Sequence, residues 1–119
     1  MPMDALARRK TFIAVAQHRQ RLRLERQHQE GEQPWLAEAL AQAQSNRDAQ
    51  GQSVLPLPYL VLMKLQAGRI QDLGDVARML GQADETALTQ VRQVFHRYAP
   101  DDMADLESLI TLGKMELQQ

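Results

Sequence analysis

The chain has 119 residues, of which 44% are hydrophobic, and a formal net charge of −1, which are the size and composition of one globular domain. It contains no cysteine, so disulfides, thiolate zinc sites and thiol nucleophiles are excluded, and we expect a cytoplasmic protein. The near-zero net charge gives no general attraction to nucleic acid or membrane. The sequence contains neither the apolar core of a signal peptide nor the ~20 consecutive apolar residues of a membrane span.

The first predicted element is a long basic helix over residues 1–30. No Pro or Gly interrupts Met3 to Glu30, and Ala, Leu, Gln and Arg predominate, which favours helix. Its apolar residues lie mostly in the first half, so we expect that half to pack and the second half to be solvated. These apolar residues are Leu6, Phe12, Ile13, Val15 and Ala16.

Cations outnumber acids in this helix, and several arginines on one surface give sequence-independent affinity for a nucleic-acid backbone. The nucleic-acid-binding candidates are Arg8, Arg9, Lys10, Arg19, Arg23 and Arg26. A solvated charged helix or a partner-binding arm is the structural alternative. Arg23 and His28 also have the Arg-x4-His spacing of HEPN-type helical ribonucleases, a spacing that an arginine-rich segment produces easily by chance. No histidine has partners at metal-ligand spacing, so no metal site is predicted.

The middle of the chain is divided by turn signals. Gly31 to Pro34 ends the first helix, and Pro34 suits the first turn of a short helix over Trp35 to Gln44. Ser45 to Ser53 is polar and is predicted as an exposed loop. Val54 to Leu57 is at best an edge strand, because the neighbouring prolines cannot donate to a ladder. The predicted apolar face of the short helix is Trp35, Leu36, Ala39 and Leu40.

Four further signals place the remaining helices. The very apolar segment from Tyr59 to Arg69 is predicted as one helix. The apolar residues of Gln71 to Leu80 have helical spacing and predict the next helix, which Gly81 should end. Asp84 is predicted to cap a helix that reaches Tyr98 and has Leu88, Val91, Phe95 and Tyr98 on one face. Asp101 is predicted to cap the last helix, with Met103, Leu106, Leu109 and Ile110 facing inward.

These elements predict a mainly α protein: a small bundle of about five helices with a long N-terminal helix and at most one short strand. We expect two parts, the basic helix over residues 1–30 and a helical domain over residues 31–119. The N-terminal part is either native to the domain or a rearranged extension, and the sequence leaves this open.

The charged residues that follow the apolar segment form the strongest candidate site. Lys64, Arg69, Asp72 and Asp75 have the spacing Lys-x4-Arg-x2-Asp-x2-Asp. On a helix the two aspartates share a face, and the two cations lie just upstream. Such a cluster can bind phosphate, with the lysine as a point charge and the arginine as a fork. It can also be an internal salt-bridge network with an acid near a helix N-terminus.

This pattern resembles the C-terminal half of the catalytic domain of bacterial nucleotidyltransferase-fold proteins, including those of abortive-infection and toxin–antitoxin loci. The similar elements are the proline-marked segment Val54 to Pro58, a helix ending in Lys-Leu-x-Ala-x-Arg at Lys64 to Arg69, and the Asp-x-x-Asp helix at Asp72 to Asp75. The resemblance runs from about Gln33 to Leu117. It implies that Lys64 and Arg69 would contact nucleotide or RNA phosphate, with Asp72 and Asp75 orienting them.

The catalytic motif of that family, a Gly-Ser followed by an Asp-x-Asp pair that holds divalent metal, does not occur in this chain. Because nucleotidyl transfer needs such carboxylates to bridge metal and phosphates, we expect no catalysis by the chain alone. Mg²⁺ and nucleotide would be cofactors only if the family activity were retained. We expect a non-catalytic, antitoxin-like component that contacts a partner protein, RNA or nucleotide, or self-associates at the edge left by the missing half.

A second class of function is a helix-turn-helix DNA-binding regulator built from helices 71–80 and 85–98. In that interpretation the second helix would enter the major groove. The side chains facing the bases would be Thr86, Thr89, Gln90, Arg92 and Gln93. Arg92 is the cation on the proposed reading helix, whereas Asp84 and Glu85 at its start would repel phosphate.

Overall fold

The computed structural model describes residues 5–26, 35–52 and 54–117, with the side chains of all of these except 23–26. The described part is mainly helical and contains no strand, which confirms the predicted small helical bundle. Within it, no helix combines the length and apolar character needed to cross a membrane. The helices are α1 (Ala5–Arg26), α2 (Leu36–Ser45), α3 (Leu57–Ala67), α4 (Ile70–Gln82), α5 (Glu85–Tyr98) and α6 (Met103–Leu117), with a 3₁₀ turn at Pro100–Asp102.

The edge strand predicted at Val54 to Leu57 does not form: residues 54–56 are irregular, and Leu57 begins α3. The helix begins at Leu57, and the backbone N–H groups of Tyr59 and Leu60 both donate to the carbonyl of Pro56. Proline fits the first helical turn because its missing N–H would have no partner there. The two prolines therefore mark a helix start at this position. The helix ends at Gly68, whose left-handed φ of 68° is costly for any residue with a Cβ.

Helix α4 crosses α6 at two glycines, Gly81 and Gly113. The prediction that Gly81 ends the helix is wrong, because α4 continues through Gln82 and Gly81 is buried. A Cβ at Gly81 would lie 2.5 Å from the carbonyl oxygen of Gly113, and one at Gly113 would collide with the carbonyl oxygen of Ala77. The glycines therefore let the two helix backbones meet directly.

The core lies between α3, α4, α5 and α6. The predicted inward faces of α4, α5 and α6 are confirmed, since their central leucines, valines and Phe95 are almost completely buried. Asp84 caps α5 as predicted, because its Oδ1 accepts a hydrogen bond of 2.8 Å from the backbone N–H of Ala87. The most deeply buried apolar residues are Val61, Leu62, Leu65, Leu73, Val76, Leu80, Leu88, Val91, Phe95, Leu106 and Leu109.

Two predicted details differ in the structure. Trp35, just before α2, and Ala39 within it are buried, but Leu36 and Leu40 are exposed, so the helix presents a narrower face to the core than expected. At the start of α6, a 3₁₀ turn precedes the helix. Asp101, the predicted cap, is exposed there, whereas Asp102 is buried.

Helix α1 packs against α3 and α6 and shares their core. Val15 is buried, but so is Arg19, at 1% exposure, so the prediction of a solvated second half is wrong at that residue. Leu6 and Ile13 of the first half are exposed instead. The buried stripe follows the helical spacing of Phe12, Val15 and Arg19, and it includes a cation. The predicted boundary between residues 30 and 31 lies outside the described residues.

Candidate functional site

The four charged residues predicted as a site lie together where α3 meets α4. Arg69 donates to both carboxylate oxygens of Asp72, from Nε at 2.7 Å and from Nη2 at 3.4 Å. Lys64 Nζ donates to Asp75 at 3.3 Å and lies 3.9 Å from Asp72. A fifth member, Arg78, was not predicted; it is one helical turn after Asp75 and pairs with the other oxygen of that carboxylate.

This arrangement favours the charged form of Asp72 and holds the two helices together. The hydrogen bonds from Arg69 hold the pKa of Asp72 below its usual value, although burial acts in the opposite direction and the charges of Arg69 and Lys64 assist. The Asp72 side chain is almost inaccessible, whereas those of Arg69 and Arg78 are 59% and 64% exposed. The cluster therefore ties α3 to α4 at its buried end and presents two arginines outward.

The candidates on α1 do not form one surface. Arg9 and Lys10 are exposed and Arg8 is partly buried, so three of them lie near the start of the helix. Arg19 is buried and cannot face a nucleic-acid backbone in this structure, which corrects its assignment. The side chains of Arg23 and Arg26 lie outside the described residues, as does His28, so the ribonuclease interpretation stays a prediction.

Arg19 belongs to an internal network that the sequence analysis missed. Its Nη1 donates to Asp102 at 2.6 Å and to Asp105 at 3.3 Å, and its Nε donates to the carbonyl of Leu65 at 3.1 Å. His18 Nδ1 lies 2.7 Å from the same Asp105 carboxylate. Two signals were present in the sequence: the helical spacing of Arg19 from Val15, and an Asp-x-x-Asp spacing at Asp102 and Asp105.

Two depressions lie beside α1, one facing the start of α4 and the other facing α4 and α6, and we call them together the α1–α4 groove. The depressions have volumes of about 430 and 390 Å³ and share Phe12. The first is lined by Phe12, Ile13, Ala16, Gln17, Gln20, Gly68, Arg69 and Ile70. The second is lined by Phe12, Arg8, Arg9, Gly74, Arg78, Leu112 and Glu116. The groove thus brings together arginines from both predicted sets, the α1 candidates and the α3–α4 cluster.

The α1–α4 groove combines exposed apolar side chains with an arginine rim. Ile13 on α1 is 46% exposed and Ile70 on α4 is 69% exposed, and both line the first depression. On α4 the lining residues Ile70, Gly74 and Arg78 are spaced by four, so they form one stripe along the helix. Such a surface suits a ligand with an apolar ridge and negative charge.

The helices of the predicted helix-turn-helix pack differently from a DNA-reading pair. Helix α5 packs mainly against α3. Arg92, the cation of the proposed reading helix, donates from Nε and Nη2 to Glu107 of α6 at 2.7 and 3.2 Å. A shallow depression beside α5 is lined by Gln42, Pro56, Pro58, Tyr59, Gln90, Gln93 and Val94, none of them charged. DNA binding stays a prediction, with its principal cation engaged in an ion pair.

The described residues contain no group of three or more His, Cys, Asp or Glu side chains placed to hold a metal ion. Comparison of the chain with protein-family models, with curated proteins and with solved structures finds no match in any of the three.

Proposed function

We propose that this protein is a non-catalytic binding component, and that its α1–α4 groove holds a segment of a partner protein. The observation that carries the proposal is the exposure of Ile13 and Ile70 on the two walls of one groove. Each exposed isoleucine leaves apolar area in water that a partner would cover, at about 25 cal/mol per Å² of apolar surface. A single exposed apolar residue is common on protein surfaces, but two that line the same groove form an apolar surface that a partner can cover.

The ion pairs that the lysine and arginine side chains already make favour a protein ligand over RNA or nucleotide. Lys64, Arg69 and Arg78 all make ion pairs with Asp72 or Asp75. Three cations against two carboxylates leave these five side chains with little net positive charge to attract a polyanion. Base stacking needs exposed aromatic rings, and Phe12, the aromatic residue of the groove, is partly buried. Phosphate binding by the Lys64 cluster is therefore the less favoured mode.

The absence of catalysis is proposed from the sequence, because the Gly-Ser and Asp-x-Asp motif of the family that the chain resembles is missing. Membership of the nucleotidyltransferase-fold group and an antitoxin-like role remain part of the proposal. We propose the cytoplasm as its compartment, with which the lack of cysteine is compatible.

Site-specific photo-crosslinking in the cells of origin tests this function. A photoreactive side chain at position 70, in the groove, is compared with one at position 40 on α2, where Leu40 is 54% exposed and does not line the groove. We expect a discrete protein adduct from position 70 that position 40 does not give. An RNA adduct at position 70 would show that the ligand of the groove is RNA and not protein. Equal labelling at both positions, or no labelling at position 70, would refute the groove as a binding site.

A titration of the purified chain against tRNA and against ATP with Mg²⁺ completes the test. We expect weak or no binding and no turnover of ATP. Tight binding that Lys64→Glu abolishes, with the fold intact, would instead assign the site to the Lys64 cluster.

A further inference from the structure

The chemistry of the α1–α4 groove defines the kind of partner segment it fits. We infer that the groove binds an amphipathic helix that carries acidic residues beside its apolar face. This inference rests on the proposed function and adds the secondary structure and the charge of the ligand.

A helical ligand follows from the groove walls. Both walls are helices, whose backbone hydrogen bonds are satisfied internally, and the described part of the chain has no strand edge that an extended peptide could join. An extended segment would therefore have to leave its backbone groups to water or side chains. A helix satisfies its own backbone and offers a row of side chains to a groove of this kind.

The length of the groove suits a short helix. Its lining on α4 runs from Ile70 to Arg78, about 12 Å at 1.5 Å per residue, and on α1 from Arg8 to Gln20, about 18 Å. This corresponds to about two to three helical turns. The apolar side chains of such a helix, spaced by three and four residues, would lie over Phe12, Ile13 and Ile70.

The charge of the ligand follows from the rim. Arg69 stands at one end of the groove and Arg8, Arg9 and Arg78 at the other, where Glu116 is the lining acid. Arg69 donates two of its N–H groups to Asp72, and a guanidinium carries five. A partner carboxylate can therefore be added without breaking the existing pair. Acidic groups beside the apolar ridge complement this rim, and basic groups would be repelled.

A second copy of the chain is a poorer occupant. The helix with exposed leucines that it could offer, α2, presents Leu36 and Leu40 but only one acid, Glu38, to a rim of four arginines. The start of α1 would bring Arg8, Arg9 and Lys10 to Arg69 and Arg78, and like charges across an interface suppress the pairing. We therefore assign the groove to a different protein.

Two designed peptides test the assignment against the full chain. The acidic probe is an amphipathic helical peptide of about 14 residues with leucines on one face and glutamates beside them; the basic probe has lysines in place of the glutamates. By fluorescence anisotropy we expect the acidic probe to bind at least about tenfold more tightly than the basic one. Ile70→Gln and Arg9→Glu, both at exposed groove positions, should each weaken it about tenfold, whereas Leu40→Gln on α2 should not.

The outcomes separate the inference from the proposed function. Equal binding of both probes would refute the charge preference, and binding of the acidic probe that neither groove variant changes would place its site elsewhere. If neither probe binds while position 70 still crosslinks to a protein, the helical acidic ligand is wrong and the proposed function stands. If neither probe binds and position 70 gives no adduct, both fail. A dimer in solution that Ile70→Gln dissociates would assign the groove to a second copy.

Discussion

At the scale of single residues, the least expected feature is a buried cation. Arg19 is 1% exposed, and its main partner, Asp102, lies 83 residues further along the chain. A buried ion pair is only weakly favourable overall, but removing one partner leaves the other charge in the core without compensation. The stability of the fold therefore depends strongly on Arg19 being present.

Arg19→Ala is the corresponding test. We expect it to lower the free energy of unfolding by about 3–5 kcal/mol, because Asp102 and Asp105 would keep their burial without their cation. Arg21→Ala, an exposed arginine two residues away on the same helix, should change it by less than about 0.5 kcal/mol. Urea denaturation followed by circular dichroism measures both. Similar small effects from the two variants would show that α1 contributes little through Arg19.

Asp72 makes stability depend on pH. Because its pKa in the folded protein is lower than in the unfolded chain, its contribution is fully present above about pH 4, the usual aspartate range, and is lost as the pH falls through the folded pKa. Asp72→Asn should destabilise the protein at pH 7 by about 1–3 kcal/mol, and its difference from the parent should shrink below about pH 4.

Denaturation curves of the parent and Asp72→Asn at pH 7, 5, 3 and 2 check this dependence, with Asp101→Asn at an exposed aspartate as the control. A parent–variant difference that stays constant down to pH 2 would mean that the pKa of Asp72 is the same in the folded and unfolded states, which would contradict the lowering of its pKa by Arg69.

At the scale of elements, two helices cross without side chains between them. The backbones of α4 and α6 meet at Gly81 and Gly113, and an added methyl at Gly113 would strike the carbonyl of Ala77 in the facing helix. Gly113→Ala should therefore cost about 1–3 kcal/mol through forced separation of the helices.

The matched control is Gly74→Ala, also in the interior of α4. Its nearest neighbour would be the Arg78 guanidinium at 3.8 Å, which is ordinary contact. Alanine in an open helical position is favoured over glycine by about 0.5–1 kcal/mol, so this variant should be slightly more stable than the parent. Thermal unfolding compares the two, and destabilisation of similar size by both would argue against a close crossing at Gly113.

The same elements show what sequence could and could not predict. Periodicity predicted the buried faces of α4, α5 and α6, and local capping chemistry predicted Asp84, because both depend on neighbours within about one turn. The prediction for Gly81 was wrong because the local sequence is similar around a glycine that ends a helix and around one that allows another helix backbone to approach. Arg19 was misplaced because its burial depends on carboxylates far away in the chain.

The charged cluster was the part of the site that sequence could predict. Arg69 and Asp72 are three residues apart, so their pairing follows from helix geometry. The α1–α4 groove was not predictable in the same way. Its walls, at Ile13 and Ile70, belong to helices whose separation is set by what each packs against elsewhere in the bundle.

At the scale of the whole molecule, α1 is part of the bundle core. A chain that starts at residue 31 would lose Val15 and Arg19, exposing apolar surface of α3 and α6 and leaving Asp102 and Asp105 without their arginine. We expect this truncated chain to show no cooperative thermal transition at neutral pH.

Asp102→Asn combined with Asp105→Asn in the truncated chain is the control, since it removes the charges that Arg19 would compensate. We expect this double variant to recover part of the helical signal. A cooperative transition in the unmodified truncated chain, close to that of the full chain, would confirm residues 31–119 as an independent domain and α1 as an appended arm.

The Arg19 contacts also fix the register of α1 along its own axis. A slide by one helical turn, about 5.4 Å, would withdraw the guanidinium from Asp102 and Asp105 and from the carbonyl of Leu65 together. Fixing one register between packed helices is the best-attested structural role of buried polar or charged groups in proteins. Because Phe12 and Ile13 belong to the same helix, the Arg19 contacts also hold this wall of the proposed binding groove in position before a ligand arrives. The entropic cost of ordering that wall is then met during folding, so that less is lost on association.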